Sequence, residues 1–315
     1  MQSATTGAPL RIYFDSLFAP AFLCGASPRT WLEYRATLST WERLTHNPPL
    51  GSVSPFDLAS FKAAAVAAGL AVATVNKHLR HLSHLLTKAG PIGPGNRDGL
   101  GLVAVSPWTK PLREREKQIR TVDDAAFMAF YESTGAARYP NVPGILPAAW
   151  WRALIVCALT LIVRRQALLG LTWGNVDLVG KWVTVEGTTD KAGRVRRKRL
   201  HDAARSHLLR IRHPGPLVFP FPHSEKTFYR SWARIEAAAG VSFGLHDLKR
   251  TALSRLAGSC DAFTLQRLGD HSSVRTTQRY YVNVDDAGLA AAVDGFQLPG
   301  ELGKDSDAWK RNYEA

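Results

Sequence analysis

The sequence predicts a mainly α-helical protein with one small antiparallel β-sheet, organised as two units. Three observations carry that prediction. Apolar residues recur at three- and four-residue steps through most of the 315-residue chain, the spacing of amphipathic helices. Strand-like alternation is confined to the stretch between Trp182 and Leu200, around a Gly-containing turn. Between the two helical stretches lies a charged segment, Thr109 to Arg120, where a domain boundary is expected.

The first unit is expected over residues 1–108. Ser27-Pro28 pairs a capping residue with proline at the first helical position, and Trp31, Tyr34, Leu38, Trp41 and Leu44 then form one stripe. Ser54-Pro55-Phe56-Asp57 repeats the start signal, with an acidic residue three on as in a capping box, and Gly69 ends this second helix. A third helix from Thr74 carries Val75, Leu79, Leu82 and Leu86 on one side. Its other side reads Lys77, His78, Arg80, His81, His84 and Lys88, either a solvated face or a surface for a polyanion. Pro91 to Gly101 is a Gly- and Pro-rich loop. Lys110, Arg113, Arg115, Lys117 and Arg120 then make residues 109–120 a basic linker.

The second unit is expected over residues 121–298, with 299–315 as a tail. Val122-Asp123-Asp124 leads into a helix. Trp151, Leu154, Ile155, Ala158, Leu159 and Ile162 mark a buried helix that runs straight into Arg164 and Arg165. Trp182–Val185 and Arg194–Leu200 read as two strands joined by the turn Asp190-Lys191-Ala192-Gly193, the second of them very basic. Helices resume at Glu225, with Phe228, Trp232 and Ile235 on one face, and again at His246 and Asp261. Ala287 to Phe296 reads as a short helix with Leu289, Val293 and Phe296 on one side, too small to form a core alone.

Composition narrows the function classes. Hydrophobic residues make up 45% and aromatics 10%, enough to fill a core and against wholesale disorder. Lys and Arg number 40 against 26 Asp and Glu, a formal charge of +14. Such an excess fits a polyanion partner, because each phosphate neutralised releases a condensed counterion; binding should then weaken steeply with salt. Cys24, Cys157 and Cys260 are widely spaced, which argues for a reducing compartment, the cytoplasm, and against a disulfide framework or zinc site. Phe18 to Cys24 is apolar but too short for a signal peptide or membrane span, and the ten histidines show no metal-binding spacing. Neither metal nor cofactor is expected.

Four separated segments are informative together. They are Leu161-Ile162-Val163-Arg164-Arg165-Gln166-Ala167-Leu168-Leu169-Gly170-Leu171, the hairpin around Lys191, His246-Asp247-Leu248-Lys249-Arg250-Thr251, and His271-Ser272-Ser273-Val274-Arg275-Thr276-Thr277-Gln278-Arg279-Tyr280-Tyr281. In order and spacing they resemble the tyrosine recombinases, the family of phage integrases and bacterial Xer recombinases. The last segment is the most specific, since Tyr280 follows His271 by nine residues. The resemblance spans roughly Leu10 to Phe296.

The resemblance implies an α-helical, SAM-like core-binding domain followed by a mixed α+β DNA breaking-rejoining domain. It implies site-specific cutting and rejoining of double-stranded DNA through a 3′-phosphotyrosine, on a homotetramer holding two sites. The C-terminal segment would dock on a neighbouring protomer. With little chain before Ser27, the two-domain Xer plan is the expected one. Residue by residue, Tyr280 matches the nucleophile, Arg164 the first phosphate-binding arginine, Lys191 the hairpin lysine, and His246 and His271 the two histidines. Lys77, His78, Arg80 and His81 of the first unit, with Arg194, Arg196 and Arg197 of the hairpin, are the expected DNA-binding residues, and the two basic faces are expected to close around a duplex.

Chemistry supports such a set independently. A phenol attacking a phosphodiester builds charge on the non-bridging oxygens, which guanidinium forks can hold. The leaving hydroxyl needs a proton that a lysine can give, and the phenol must lose its own. This chain departs from the family's pattern at four places. Lys249 stands where a second arginine is usual, with Arg250 one place on as a possible substitute. Ala167 replaces a commonly acidic residue, and Ile162 and Asp270 replace usual glycines. Alternatives are therefore a catalytically weakened or inactive DNA-binding relative, and a type IB topoisomerase-like enzyme. Tyr281 is the alternative nucleophile, and Lys191 has a structural role as its alternative.

Overall fold

The computed structural model describes residues 5–115, 119–187, 195–278 and 280. The chain divides into one compact unit over Met1–Lys117 and another over Gln118–Ala315, each with its own apolar core.

The first unit is helical. Helix α1 runs through Leu10–Tyr13, a π-helical turn at Phe14–Phe18, and Ala19–Phe22. Sequence reading left this stretch without an element, because Pro9 at its start supplies no side-chain cap. Its Tyr13, Phe14 and Phe18 are fully buried, with Phe14 and Phe18 ringing Tyr34. Helix α2 (Pro28–Leu44) starts where Ser27 accepts the Thr30 amide, and α3 (Pro55–Ala67) starts at a reciprocal box between Ser54 and Asp57. Helix α4 (Val72–Ala89) follows, burying Val75, Leu79, Leu82, Leu85 and Leu86. Residues of the expected linker pack back on α4, where the Asn76 side chain bonds both the amide and the carbonyl of Leu112.

The second unit contains α5 (Asp124–Glu132), α6 (Pro147–Leu161) and the short α7 (Arg165–Leu169). No side chain caps the start of α6, an omission that costs about 1 kcal/mol. The core outweighs it: Trp150, Trp151, Leu154 and Ile155 are all fully buried, at about 1.5–3 kcal/mol for each large apolar side chain. Three short strands follow, β1 (Val176–Asp177), β2 (Trp182–Val185) and β3 (Arg196–Arg199), antiparallel in the order β1-β2-β3. In the β2–β3 register Val183 faces Lys198 and Trp182 faces Arg199. Alternation puts Val183, Val185 and Lys198 inward and leaves Arg197 and Arg199 exposed. Helices α8 (Asp202–Arg210), α9 (Glu225–Ala239), α10 (Leu245–Ala257), α11 (Ala262–Gly269) and α12 (Val274–Gln278) complete the unit. Phe228, Trp232 and Ile235 of α9 are buried, as their spacing predicts. No helix among the described residues is long and apolar enough to cross a membrane.

Candidate active site

The end of α6 creates the first wall of the site. Ile162 caps that helix in the left-handed conformation, φ 59°, with its side chain buried beside Ala252, Leu253 and Leu265. A β-branched residue is strained there by about 1–3 kcal/mol, and its packing holds it. The reversal turns the chain into α7, and Arg164 at the junction reaches the carbonyl of Asp270 at 3.4 Å.

Helix α10 supplies the second wall. Its start is fixed by Asp247, which accepts the Gly244 amide at 2.9 Å. His246 and Lys249 are three residues apart and so share a face. Lys249 is 3% exposed and donates to the carbonyl of Gly269 at 2.7 Å. Arg250 turns the other way, onto Asp247 Oδ1 at 3.0 Å, and its side chain is 39% exposed. Of the two candidates for the second cationic position, Lys249 is the buried one and faces Arg164 and His271, while Arg250 acts on His246 from the more exposed side.

The turn after α11 closes the site. Asp270, at φ 54°, is buried and receives Lys198 at 2.8 Å and Arg196 at 3.0 Å on one carboxylate oxygen. His271 Nδ1 lies 3.0 Å from the Thr277 hydroxyl. Tyr280 stacks on the His271 ring, centroids 5.8 Å apart and planes 14° from parallel, and packs against the Ile162 cluster. Burial above all, then the neighbouring Lys249 and Arg164, pulls the His271 imidazole down to about 4. Burial, Arg250 and Lys249 likewise lower His246. Lys249 is brought down to about 8, first by burial. Both shifts favour the neutral imidazole at pH 7, at a loss of basicity.

Arg164, His246, Lys249, His271 and Tyr280 are therefore gathered at one place. Lys191, Arg194 and Tyr281 lie outside the described residues. Three of the expected DNA-contact residues have side chains turned toward the protein itself. Arg196 faces inward, because alternate residues of β3 share a face and 196 goes with buried 198. His78 and His81 turn into the α2–α4 interface, each with Nδ1 2.8 Å from the Thr37 hydroxyl. Lys77 is half-buried, while Arg80 and Arg197 are exposed. The reading from sequence missed Lys198, whose inward position the same strand alternation could have shown. Among the described residues no three His, Cys, Asp or Glu side chains gather as a metal site.

Comparison with known proteins bears on this geometry. Residues 146–287 match the model of the phage integrase family, a span that runs from before Arg164 to beyond Tyr280. The second unit carries a phage integrase family domain. The fold agrees with solved integrases along nearly the whole chain. The Tn1549 transposon integrase in complex with a circular intermediate DNA is 16% identical, with a TM-score of 0.72 over 92% of this chain and 99% of that one. A lambda integrase dimer bound to a COC′ core site is 17% identical, with a TM-score of 0.65 over 85% and 95% of the two chains. A lambda integrase tetramer bound to a Holliday junction gives 16% and 0.68 over 93% and 80%. At these identities the likeness is one of fold. No curated protein matches the sequence. Within the integrase domain, the matched span holds every member of the cluster described above.

Proposed function

We propose that this protein is a site-specific tyrosine recombinase that cuts and rejoins double-stranded DNA through a phosphotyrosine. The observation that carries this reading is the stacking of Tyr280 on a neutral His271, in one cluster with Arg164, His246 and Lys249. The Tyr280 phenol oxygen forms a bond to phosphorus and gives up its proton, for which the lowered basicity of His271 and His246 still leaves an acceptor. The bond from phosphorus to the 5′ oxygen breaks, and that oxygen takes a proton, in this reading from Lys191. Arg164 and Lys249 hold the charge that develops on the non-bridging oxygens. The covalent link conserves the bond energy, so reversal of the same steps rejoins the strand without ATP. Integrases solved on DNA with the same fold support a DNA partner, and a lambda integrase tetramer on a Holliday junction supports a tetrameric working state.

A nicked duplex tests this reading, because its short leaving fragment diffuses away after cleavage. Wild type is expected to form a band that survives denaturation and disappears with protease. Tyr280→Phe removes one oxygen, and is expected to bind DNA normally and form no such band. Trapping by Tyr280→Phe but not by Tyr281→Phe would shift the nucleophile by one residue. A wild type that binds a cognate site and never traps it would be a non-cleaving DNA-binding protein, and trapping indifferent to sequence would favour a topoisomerase.

A further inference from the structure

The end of α11 is a meeting point for positive charge. Its last carbonyls accept three cationic side chains: Leu268 takes Lys198 at 2.7 Å, Gly269 takes Lys249 at 2.7 Å, and Asp270 takes Arg164 at 3.4 Å. The Asp270 side chain, 6% exposed, adds contacts to Lys198 and Arg196. Those two residues are alternate positions of β3, so both reach from one face of the strand. The negative end of a helix dipole and a buried carboxylate therefore coincide.

We propose that Asp270 is a positioning residue for strand cleavage: it fastens the inner face of β3 to the turn bearing His271 and keeps the Lys249 ammonium charged and seated beside Arg164. The proposal rests on the recombinase reading. Lys249 is faced by Arg164 from the α6–α7 junction, by Arg196 and Lys198 from β3, by His246 from its own helix, and by Asp270 and His271 from the turn after α11. Burial and the cations all favour loss of its proton; beside the Gly269 carbonyl, Asp270 is the charged group among the described residues that opposes them. A lysine that has lost its proton no longer attracts phosphate. The carboxylate thus offsets the mutual repulsion of a site built to hold an anion.

The test follows charge rather than shape. Asp270→Asn retains the size of the side chain and one acceptor oxygen. Covalent-complex formation on the nicked duplex is measured from about pH 6 to about pH 9.5. The alkaline limb is expected to move by about one pH unit toward lower pH, giving roughly a tenfold loss near pH 9 and less than about twofold near pH 6.5. A purely structural role would lower the rate equally at every pH, and that result, or an unchanged profile, overturns the proposal. Titration of the lysine itself by carbon-13 NMR, with its signal assigned through Lys249→Arg, should move in the same direction. This second measurement decides the proposal even if wild type never traps DNA, an outcome that would defeat the recombinase reading instead. Asp270→Gly suits the positive φ and removes the same charge, so it replaces the asparagine variant should that one not fold.

Discussion

Lys249 and Arg250 are neighbours on α10, about 100° apart around its axis, and they enter different surroundings. The lysine is buried against the end of α11, and the arginine lies on Asp247 at the surface. Arg250→Ala is expected to change single-turnover cleavage by less than about threefold, whereas Lys249→Ala should lose about 10²–10³-fold, as when one fixed donor to a charged intermediate is removed. Equal losses would mean that Arg250 swings inward on DNA. Arg164, His246, His271 and Tyr280 were selected from the sequence through the family resemblance that their segments carry together. Helix phase could also have separated 249 from 250, since His246 and Lys249 share a face. The ion pairs of Asp270 were not legible, because Lys198 lies 72 residues away along the chain. Nor was the strained turn at Ile162, for which the sequence offers only an isoleucine where glycine would be at ease.

Among the elements, α4 departs furthest from its sequence reading. His78 lies about 70° from the centre of the Val75 stripe, whereas Lys77 and Arg80 lie on the far side. The face buried by α4 is wider than that stripe, and it takes in His78 and Leu85 as well. Thr37 donates its hydroxyl to the Glu33 carbonyl, so its oxygen accepts from both imidazoles, and Tyr34 stacks on His81 at 4.3 Å. Burial, ahead of every charge nearby, pulls His81 down to about 4 and lowers His78 as well. The unfolded chain therefore binds protons that the folded one refuses. Stability from this interface is intact above about pH 6.5 and is lost as pH falls toward about 4. Hydrogen exchange of α2 and α4 in the full chain should quicken over that window, and less so in a His78→Gln, His81→Gln double variant. An equal acid response in both would place the sensitivity elsewhere.

For the whole molecule, the two helical units with one small sheet were legible because apolar spacing reports core faces directly. Within the expected linker, Leu112 and Glu114 bond to α4 through Asn76, whose contacts no local pattern announces. Helix α1 was missed for want of a start signal. Assembly belongs to this scale too. Ala287–Phe296 lies outside the described residues, and its apolar side, with Leu289, Val293 and Phe296, is proposed to dock on a neighbouring protomer. Truncation after Val284 should leave single-site binding intact and abolish cooperative pairing of two sites in a gel-shift titration. Undiminished cooperativity would remove the segment from the assembly.

On the outer face of the sheet, Arg197 and Arg199 lie over the same indole, 4.7 and 5.3 Å from the ring centre of Trp182. Long side chains on a surface ordinarily sample many rotamers, and arresting each one on binding costs about 0.5–1.5 kcal/mol. Trp182 imposes part of that restriction before any partner arrives. In the proposed DNA contact the hairpin would accordingly bring two guanidinium groups already stilled, and less disorder is surrendered at the moment of contact.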